Sequence, residues 1–180
     1  MPWMHRRGLL SKGIVVLIVL LVGYLSFPAV FKKILSIKEP TFISPLRKSG
    51  EVSIRADAMG DGRFGSRRSN GARRHKGLDI TGYVGEPVFA AKSGLAEIGE
   101  VPHGMGKYVK ISHPDGNVTI YGHLSSINVR NKSWVWQGQK VGEMGKTGNA
   151  NYKNIEPHLH FEIRHDGIAQ DPTPYIGNKR

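Results

Sequence analysis

Two hydrophobic patterns divide the chain. Residues 13–31, GIVVLIVLLVGYLSFPAVF, contain no charged side chain, and basic residues stand on both sides of this run. A helix needs roughly 20 mainly apolar residues to cross a bilayer, so the run predicts one transmembrane helix. Beyond residue 55 the apolar residues come in short alternating runs, and a period of two is typical of β-strands.

The alternation is clearest near the C-terminal end, in the sequence EPHLHFEIR. Leu159, Phe161 and Ile163 alternate there with polar residues, which predicts a strand with one apolar and one polar face. Turn residues separate further predicted strands at 87–91, 95–101, 107–112, 118–123, 137–145 and 146–149. The 23 glycines and 10 prolines fit many short strands joined by tight turns. We therefore predict a mainly β domain over residues 56–176.

The N-terminal part has the organisation of a membrane anchor. Residues 1–12 form a short basic flank, 13–31 the predicted span, and 32–55 a basic connector that we interpret as a juxtamembrane linker. A cleaved signal peptide is the alternative. No pair of small residues ends the apolar run, since Phe27 stands two positions before Ala29. We favour an uncleaved signal anchor over secretion after cleavage.

The net charge of +12 is concentrated before the β domain. Residues 1–50 hold 8 Lys and Arg against one acidic residue, 51–80 hold 7 against 4, and 81–180 hold 11 against 9. A nucleic-acid-binding core would cluster Lys and Arg with interleaved aromatic residues, so this distribution disfavours nucleic acid as a partner. A basic segment close to an anionic membrane or cell-wall surface explains it better.

Histidine, aspartate and glutamate are the residues available for a metal site, because the chain has no cysteine. His158 and His160 occupy alternate positions of the last predicted strand and therefore face the same side. His75, Asp79 and one of these two histidines would make a two-His, one-carboxylate zinc set. The other strand histidine and His123 would then be proton-transfer groups. A solvated turn around His75 and Asp79 is the simpler alternative.

Three short motifs occur in order along the chain: HxxxD at 75–79, YxHL at 121–124 and HxH at 158–160. With them, residues 60–175 resemble the lysostaphin-type, LytM-like family of zinc peptidoglycan endopeptidases. The resemblance implies a compact antiparallel sheet or barrel-like sandwich. It also implies that His75, Asp79 and His160 bind one Zn²⁺ per chain. His123 and His158 would be the catalytic histidines, which activate water and stabilise the developing charge.

The activity implied by the resemblance is zinc-dependent hydrolysis of peptide bonds in bacterial peptidoglycan. Family members that cut glycine bridges carry a tyrosine shortly before the first zinc histidine, whereas no tyrosine lies between Tyr24 and His75 here. We therefore favour stem-peptide cross-links as the substrate. The alternative is a catalytically silent member that scaffolds or activates another cell-wall hydrolase. Such members typically lose metal ligands, and this chain keeps every expected one.

These features predict a single-pass protein of the bacterial cytoplasmic (inner) membrane, with its catalytic domain on the extracytoplasmic side. Its partners would be peptidoglycan and, through the N-terminal helix, the membrane; no sequence feature indicates a protein regulator. Thr147, Glu162 and Arg164 are candidates to support the site from outside.

Overall fold

The computed structural model describes residues 4–47, 52–58, 60–68 and 71–176, with side chains described from residue 12 onward. The chain divides into two compact units, residues 1–40 and 41–180. The first contains the apolar run and the second the alternating pattern, and each is described by itself.

The described part of the first unit contains one helix, α1 (Met4–Lys38). Its stretch Lys12–Lys38 has a mean hydropathy of 2.7, so its length and composition suffice to cross a membrane, as those of a signal sequence also do. The large apolar side chains from Ile14 to Val30 are exposed, which is unfavourable in water. The helix continues past the predicted span because residues 32–38 contain no glycine or proline, and it ends shortly before Pro40.

The second unit consists mainly of short strands, as the alternating pattern predicts. In chain order they are β1 (Ala56–Asp57), β2 (Gly60–Asp61), β3 (Arg67–Arg68), β4 (Arg73–Arg74), β5 (Leu78–Thr81), β6 (Pro87–Phe89), β7 (Gly94–Val101), β8 (Gly106–Ser112), β9 (Asn117–Ile127), β10 (Ser133–Val135), β11 (Lys140–Met144), β12 (His158–His165) and β13 (Ile168–Gln170). A 3₁₀ turn at Gly148–Ala150 and the short helix α2 (Thr173–Ile176) complete the described elements. The prediction of a mainly β fold is confirmed.

Nine of the described strands form one sheet. Its main path runs β10-β7-β8-β9-β11-β6, and β12 joins this path by pairing with β9, β5 and β13. The pairings within it are antiparallel. The side chains of Val109, Tyr121, Leu124 and Phe161 are fully buried in its core. The apolar residues of the alternating runs therefore form this core, and the polar residues between them lie on the face that carries the candidate site.

β9 changes partners midway, and this change positions a site residue. Residues Asn117 to Gly122 pair with β12, whereas Leu124 to Ile127 pair with β11. The register against β8 shifts by one residue between these two parts. This β-bulge leaves His123 at the point where β9 passes from one partner to the other.

Part of the predicted linker, residues 32–55, belongs to the folded second unit. Leu46 is 2 % exposed and lies in the core. The backbone N–H of Ile43 donates to the carbonyl oxygen of Ala91 at 3.0 Å, and Ile54 forms a bridge to Ile80. Isolated apolar residues such as these give no periodic signal, so the sequence alone did not separate a packed segment from a linker.

The segment at 146–149, predicted as a strand, has a different structure. Gly148 has a φ of 63° and begins the 3₁₀ turn Gly148–Ala150. An added Cβ at Gly148 would lie 2.4 Å from the carbonyl oxygen of Gly104. Because glycine has no Cβ, the loops that contain Gly104 and Gly148 can approach closely, and no strand forms at 146–149.

Candidate metal centre

Strand register brings three predicted ligands to one point. In β12, His160 pairs with Asp79 of β5 on one side and with Gly122 of β9 on the other. Directly opposed residues of antiparallel strands project to the same face, so Asp79 and His160 are neighbours. His75 arrives from the segment before β5, where Gly77 lets the chain pass close to β12. A Cβ on Gly77 would lie 2.9 Å from Cε1 of His160.

Three potential ligand atoms meet there. Nε2 of His75 lies 3.1 Å from Nδ1 of His160 and 3.1 Å from Oδ1 of Asp79, and the last two atoms are 2.8 Å apart. All three residues are buried. A compact set of two imidazole nitrogens and one carboxylate oxygen could hold a metal ion.

Hydrogen bonds on the far side of each imidazole orient a lone pair towards this centre. Nδ1–H of His75 donates to the carbonyl oxygen of Arg63 at 3.0 Å, and Nε2–H of His160 donates to Oε1 of Glu162 at 2.9 Å. The nitrogens that face the centre are therefore acceptors when the rings are neutral. Three acceptor atoms this close repel one another unless a positive charge lies among them.

The pKa shifts of Asp79 and His160 also show that a positive charge is favoured at this centre. Burial alone would raise the pKa of the Asp79 carboxyl, but its close contacts with the His160 and His75 rings, which favour a proton on those rings, hold it far below its ordinary value. Burial alone would lower the pKa of His160, but hydrogen bonds to Asp79 and Glu162 raise it to about 9. The three side chains therefore favour a proton or a metal cation among them.

The donor set fits zinc. Zn²⁺ takes imidazole nitrogen and carboxylate oxygen at about 2.0–2.2 Å, which in a tetrahedron places neighbouring ligand atoms about 3.3 Å apart. The separations of 2.8 Å and 3.1 Å are slightly shorter, so small outward shifts of the side chains would accommodate the ion. Three protein ligands, rather than four, are the number found in catalytic zinc sites.

Two arginines hold the second oxygen of the Asp79 carboxylate. Oδ2 accepts a hydrogen bond from Nη2 of Arg55 and another from Nη2 of Arg68, each at 3.0 Å. Arg55 is itself buried and also donates to Oδ1 of Asp57 at 2.6 Å. These contacts fix the carboxylate so that Oδ1 is the oxygen that faces the two histidines.

The predicted catalytic histidines lie side by side next to this centre. Their ring centroids are 4.8 Å apart, and Nε2 of His158 lies 4.0 Å from Oδ2 of Asp79. Nδ1–H of His158 donates to the carbonyl oxygen of Glu156 at 2.7 Å, and Nδ1–H of His123 donates to that of Thr147 at 2.8 Å. Each ring therefore keeps Nε2 as its proton acceptor.

Burial keeps both of these histidines uncharged at neutral pH. It lowers the pKa of His123 to about 3, with the charge of His158 as a further cause. Burial also lowers the pKa of His158, although the negative charge of Asp79 opposes that shift. The Asp79 carboxylate thus favours the protonated form of His158, which suits a proton acceptor.

His123 also has an unusual backbone. Its φ of 61° lies in the left-handed region that non-glycine residues rarely adopt. Its N–H donates to the carbonyl oxygen of Met105 at 2.7 Å, which secures the bulge in β9. Such strained conformations cluster at functional sites, where a bulge re-aims a side chain.

Comparison with known proteins agrees with this geometry. The family model described as Peptidase family M23 matches residues 73–172, more than half of the chain. The chain belongs to this family. The matched range includes all five residues that the sequence singled out as metal ligands or catalytic histidines, namely His75, Asp79, His123, His158 and His160.

Relatives of this M23 chain include proteins with different described roles. It is 36 % identical over 100 residues to the peptidoglycan DD-endopeptidase ShyC of Vibrio cholerae, covering 56 % of this chain and 22 % of ShyC. It is 34 % identical over 103 residues to the murein hydrolase activator NlpD of Escherichia coli, covering 57 % of this chain and 26 % of NlpD. The chain thus spans about a quarter of the length of both relatives.

A solved M23 structure shares the fold. The catalytic domain of the antimicrobial peptidase lysostaphin from Staphylococcus simulans superimposes with a TM-score of 0.54 at 32 % identity, covering 63 % of this chain and 88 % of that domain. The predicted resemblance to the lysostaphin-type family is confirmed by this match and by the family model.

Sequence reasoning missed part of this M23 site. Arg55 and Asp57 fall in or beside the predicted linker, and Arg68 falls in a predicted loop, yet all three reach the centre or its supports. The spacing of Arg55 and Asp57 at i and i+2 was the available signal, because it places opposite charges on the same side of an extended segment. Of the proposed supports, Glu162 contacts His160 directly and Thr147 contacts His123.

Proposed function

We propose that this chain is a zinc-dependent endopeptidase that hydrolyses peptide bonds of bacterial peptidoglycan. The observation that supports this most is the convergence of Nε2 of His75, Oδ1 of Asp79 and Nδ1 of His160 beside two uncharged histidines. His75, Asp79 and His160 would hold the zinc. Bound zinc polarises a carbonyl group and lowers the pKa of water towards ~7.

The chain's own residues would then move the protons. Nε2 of His158 would take the proton from the attacking water, because the nearby Asp79 carboxylate favours the imidazolium. The protonated ring would later deliver this proton to the leaving amine. His123, held by Thr147, would donate a hydrogen bond from Nε2 to the carbonyl oxygen on which charge develops, once Nε2 carries a proton.

Stem-peptide cross-links are the proposed substrate. Two features favour them over glycine bridges: the absence of a tyrosine between Tyr24 and His75, and the similarity to ShyC, which is named as a peptidoglycan DD-endopeptidase. A second candidate function is activation of another hydrolase, favoured by the similarity to NlpD, which is named as a murein hydrolase activator. The complete metal-binding group argues for the enzyme.

Digestion of purified sacculi separates the two candidates. We expect full-length protein in detergent to release soluble fragments, to lose this activity after chelation, and to regain it with one equivalent of zinc. Mass analysis of the fragments would show cuts within cross-linked stem peptides. Zinc-loaded protein that releases nothing by itself but accelerates a second wall hydrolase would contradict the endopeptidase proposal and support the activator.

We further propose that α1 anchors the protein in the cytoplasmic membrane with the second unit on the extracytoplasmic side. Washing with 1 M salt should leave the full chain in the membrane fraction, because screening shortens electrostatic reach to ~3 Å while an inserted helix is unaffected. Protease added to the extracytoplasmic side should digest the β domain. A mature N-terminus near Val30 in the soluble fraction would instead show cleavage of a signal peptide.

A further inference from the structure

The small hairpin formed by β1 and β2 is fixed to the backbone of the proposed metal ligand Asp79. The N–H of Arg55 donates to the carbonyl oxygen of Asp79, and the N–H of Asp79 donates to that of Gly62, both at 2.9 Å. The N–H of Gly62 donates to the carbonyl oxygen of Arg55 at 2.7 Å, which closes the base of the hairpin. An added Cβ at Gly62 would lie 2.8 Å from Cβ of Asp79, so the glycine permits this close approach. The hairpin therefore lies against the candidate metal centre.

The first strand of this hairpin carries an aspartate that is linked to His158. Oδ2 of Asp57 accepts a hydrogen bond from the N–H of Glu156 at 3.3 Å. The carbonyl oxygen of Glu156 in turn accepts one from Nδ1–H of His158 at 2.7 Å. The side chain of Asp57 is 9 % exposed, and its Oδ1 accepts from Nη1 of Arg55 at 2.6 Å. A single residue thus joins the Asp57 carboxylate to the proposed general base.

The second strand makes the same kind of connection to a proposed metal ligand. Oδ1 of Asp61 accepts a hydrogen bond from the N–H of Arg63 at 2.9 Å. The carbonyl oxygen of Arg63 accepts one from Nδ1–H of His75 at 3.0 Å. An aspartate that accepts from the N–H two residues later forms an Asx turn, which restricts the backbone there. In both strands, one residue joins an aspartate to a histidine through its own N–H and C=O groups.

We propose that Asp57 and Asp61 are positioning residues: Asp57 orients His158 for proton transfer, and Asp61 orients His75 for metal binding. The proposal rests on the proposed function, because it specifies how that site keeps its working geometry. The hydrogen bond at one ring nitrogen of a histidine decides how the other nitrogen is presented. Both aspartates precede residues 73–172, the range that the family model matches. The hairpin therefore adds to the site from outside that range.

The test compares Asp57→Asn, Asp61→Ala and Asp61→Asn in full-length protein in detergent. Asparagine at 57 keeps one oxygen, which the charged guanidinium of Arg55 should hold because its bond is shorter than that of Glu156. The amide NH2 group then faces the N–H of Glu156, which loses its acceptor. Alanine at 61 removes the acceptor for the N–H of Arg63. Asparagine at 61 keeps an acceptor and is the matched control.

The two aspartates should affect different measurements. For Asp57→Asn we expect kcat on soluble cross-linked stem-peptide dimers to fall about three- to tenfold, the effect of one hydrogen bond, with KM and zinc affinity unchanged. For Asp61→Ala we expect the Kd for zinc, measured by competition with a chelator, to rise about three- to tenfold, with kcat at saturating zinc unchanged. Asp61→Asn should match the wild type. Equal changes of kcat and zinc affinity in both variants, or no change in either, would overturn the proposal, because a merely structural hairpin would not separate the two measurements.

Failure of the proposed function would be recognised separately. Nuclear magnetic resonance of full-length protein with isotope-labelled histidine records the Nδ1–H signals without any substrate, and His75→Ala and His158→Ala identify the two signals. Asp57→Asn should speed the solvent exchange of the His158 proton alone, and Asp61→Ala that of the His75 proton alone. This selectivity in a protein that cleaves nothing would support the positioning roles and refute only the endopeptidase. Faster exchange at both histidines in each variant, or at neither, would overturn the positioning roles.

Discussion

The variant His160→Ala should lose its zinc and, with it, essentially all cleavage of peptidoglycan. His160 offers Nδ1 to the centre and pairs its other nitrogen with Glu162, so alanine removes one of three proposed ligands. We expect less than about a tenth of a zinc per chain and a fall in turnover of at least about 10⁴-fold, because water activation depends on the ion. Metal analysis after dialysis and sacculus digestion measure the two effects.

Two further variants, His165→Ala as a control and Glu162→Gln as a milder change, test whether the effect depends on the metal ligand itself. His165 lies on the same strand, β12, but its side chain is exposed, so His165→Ala should keep both zinc and activity.

Glu162→Gln keeps the shape and an acceptor oxygen beside Nε2 of His160 but removes the negative charge. It should weaken zinc about 10- to 100-fold, as changes in the outer partners of metal ligands usually do. Full zinc content in His75→Ala/His160→Ala would refute the ligand assignment.

His158→Ala should keep its zinc and lose turnover by about 10²- to 10⁴-fold, the usual contribution of a general acid–base group. Its Nε2 lies 4.0 Å from Asp79 but outside the group of three atoms that are 2.8 Å to 3.1 Å apart. A loss of turnover with normal metal content is therefore the expected combination. Zinc analysis and single-turnover cleavage on the same preparation would show it.

The related variant His123→Ala distinguishes the two histidines. Burial lowers the pKa of His123 to about 3, so a proton held on its Nε2 would be given readily in a hydrogen bond to the oxygen on which charge develops. We expect its loss to reduce kcat while leaving zinc unchanged. Near-normal cleavage by His158→Ala would remove that residue from proton transfer and leave His123 as the base.

Pairing with carboxylates explains how positively charged arginines can lie beside a site that would bind a cation. Three guanidinium groups lie near the centre, two on Asp79 and that of Arg164 on Glu162. Each is paired with a carboxylate: Arg55 with both Asp57 and Asp79, Arg68 with Asp79, and Arg164 with Glu162. Paired charges can be buried at acceptable cost, whereas an unpaired buried arginine would destabilise the fold and repel the metal.

Local sequence pattern determined much of the fold. Strands β7, β8, β9 and β12 were predicted because alternating apolar residues signal a half-buried strand without any knowledge of its partner. The five candidate site residues were also recognisable, because chemical type and motif order do not depend on register. Their roles remain predictions.

Tertiary structure decided which atoms meet. The alternation placed His158 and His160 on one face of a strand, but the residues alone left open which of them joins His75 and Asp79. The structure answers this through register: β12 pairs with β5 so that His160, and not His158, lies opposite Asp79. The contacts of Arg55 and Arg68 with Asp79 likewise join residues 24 and 11 positions apart. Local periodicity assigns a side chain to a face, whereas its neighbours there depend on long-range strand pairing, which no short stretch of sequence encodes.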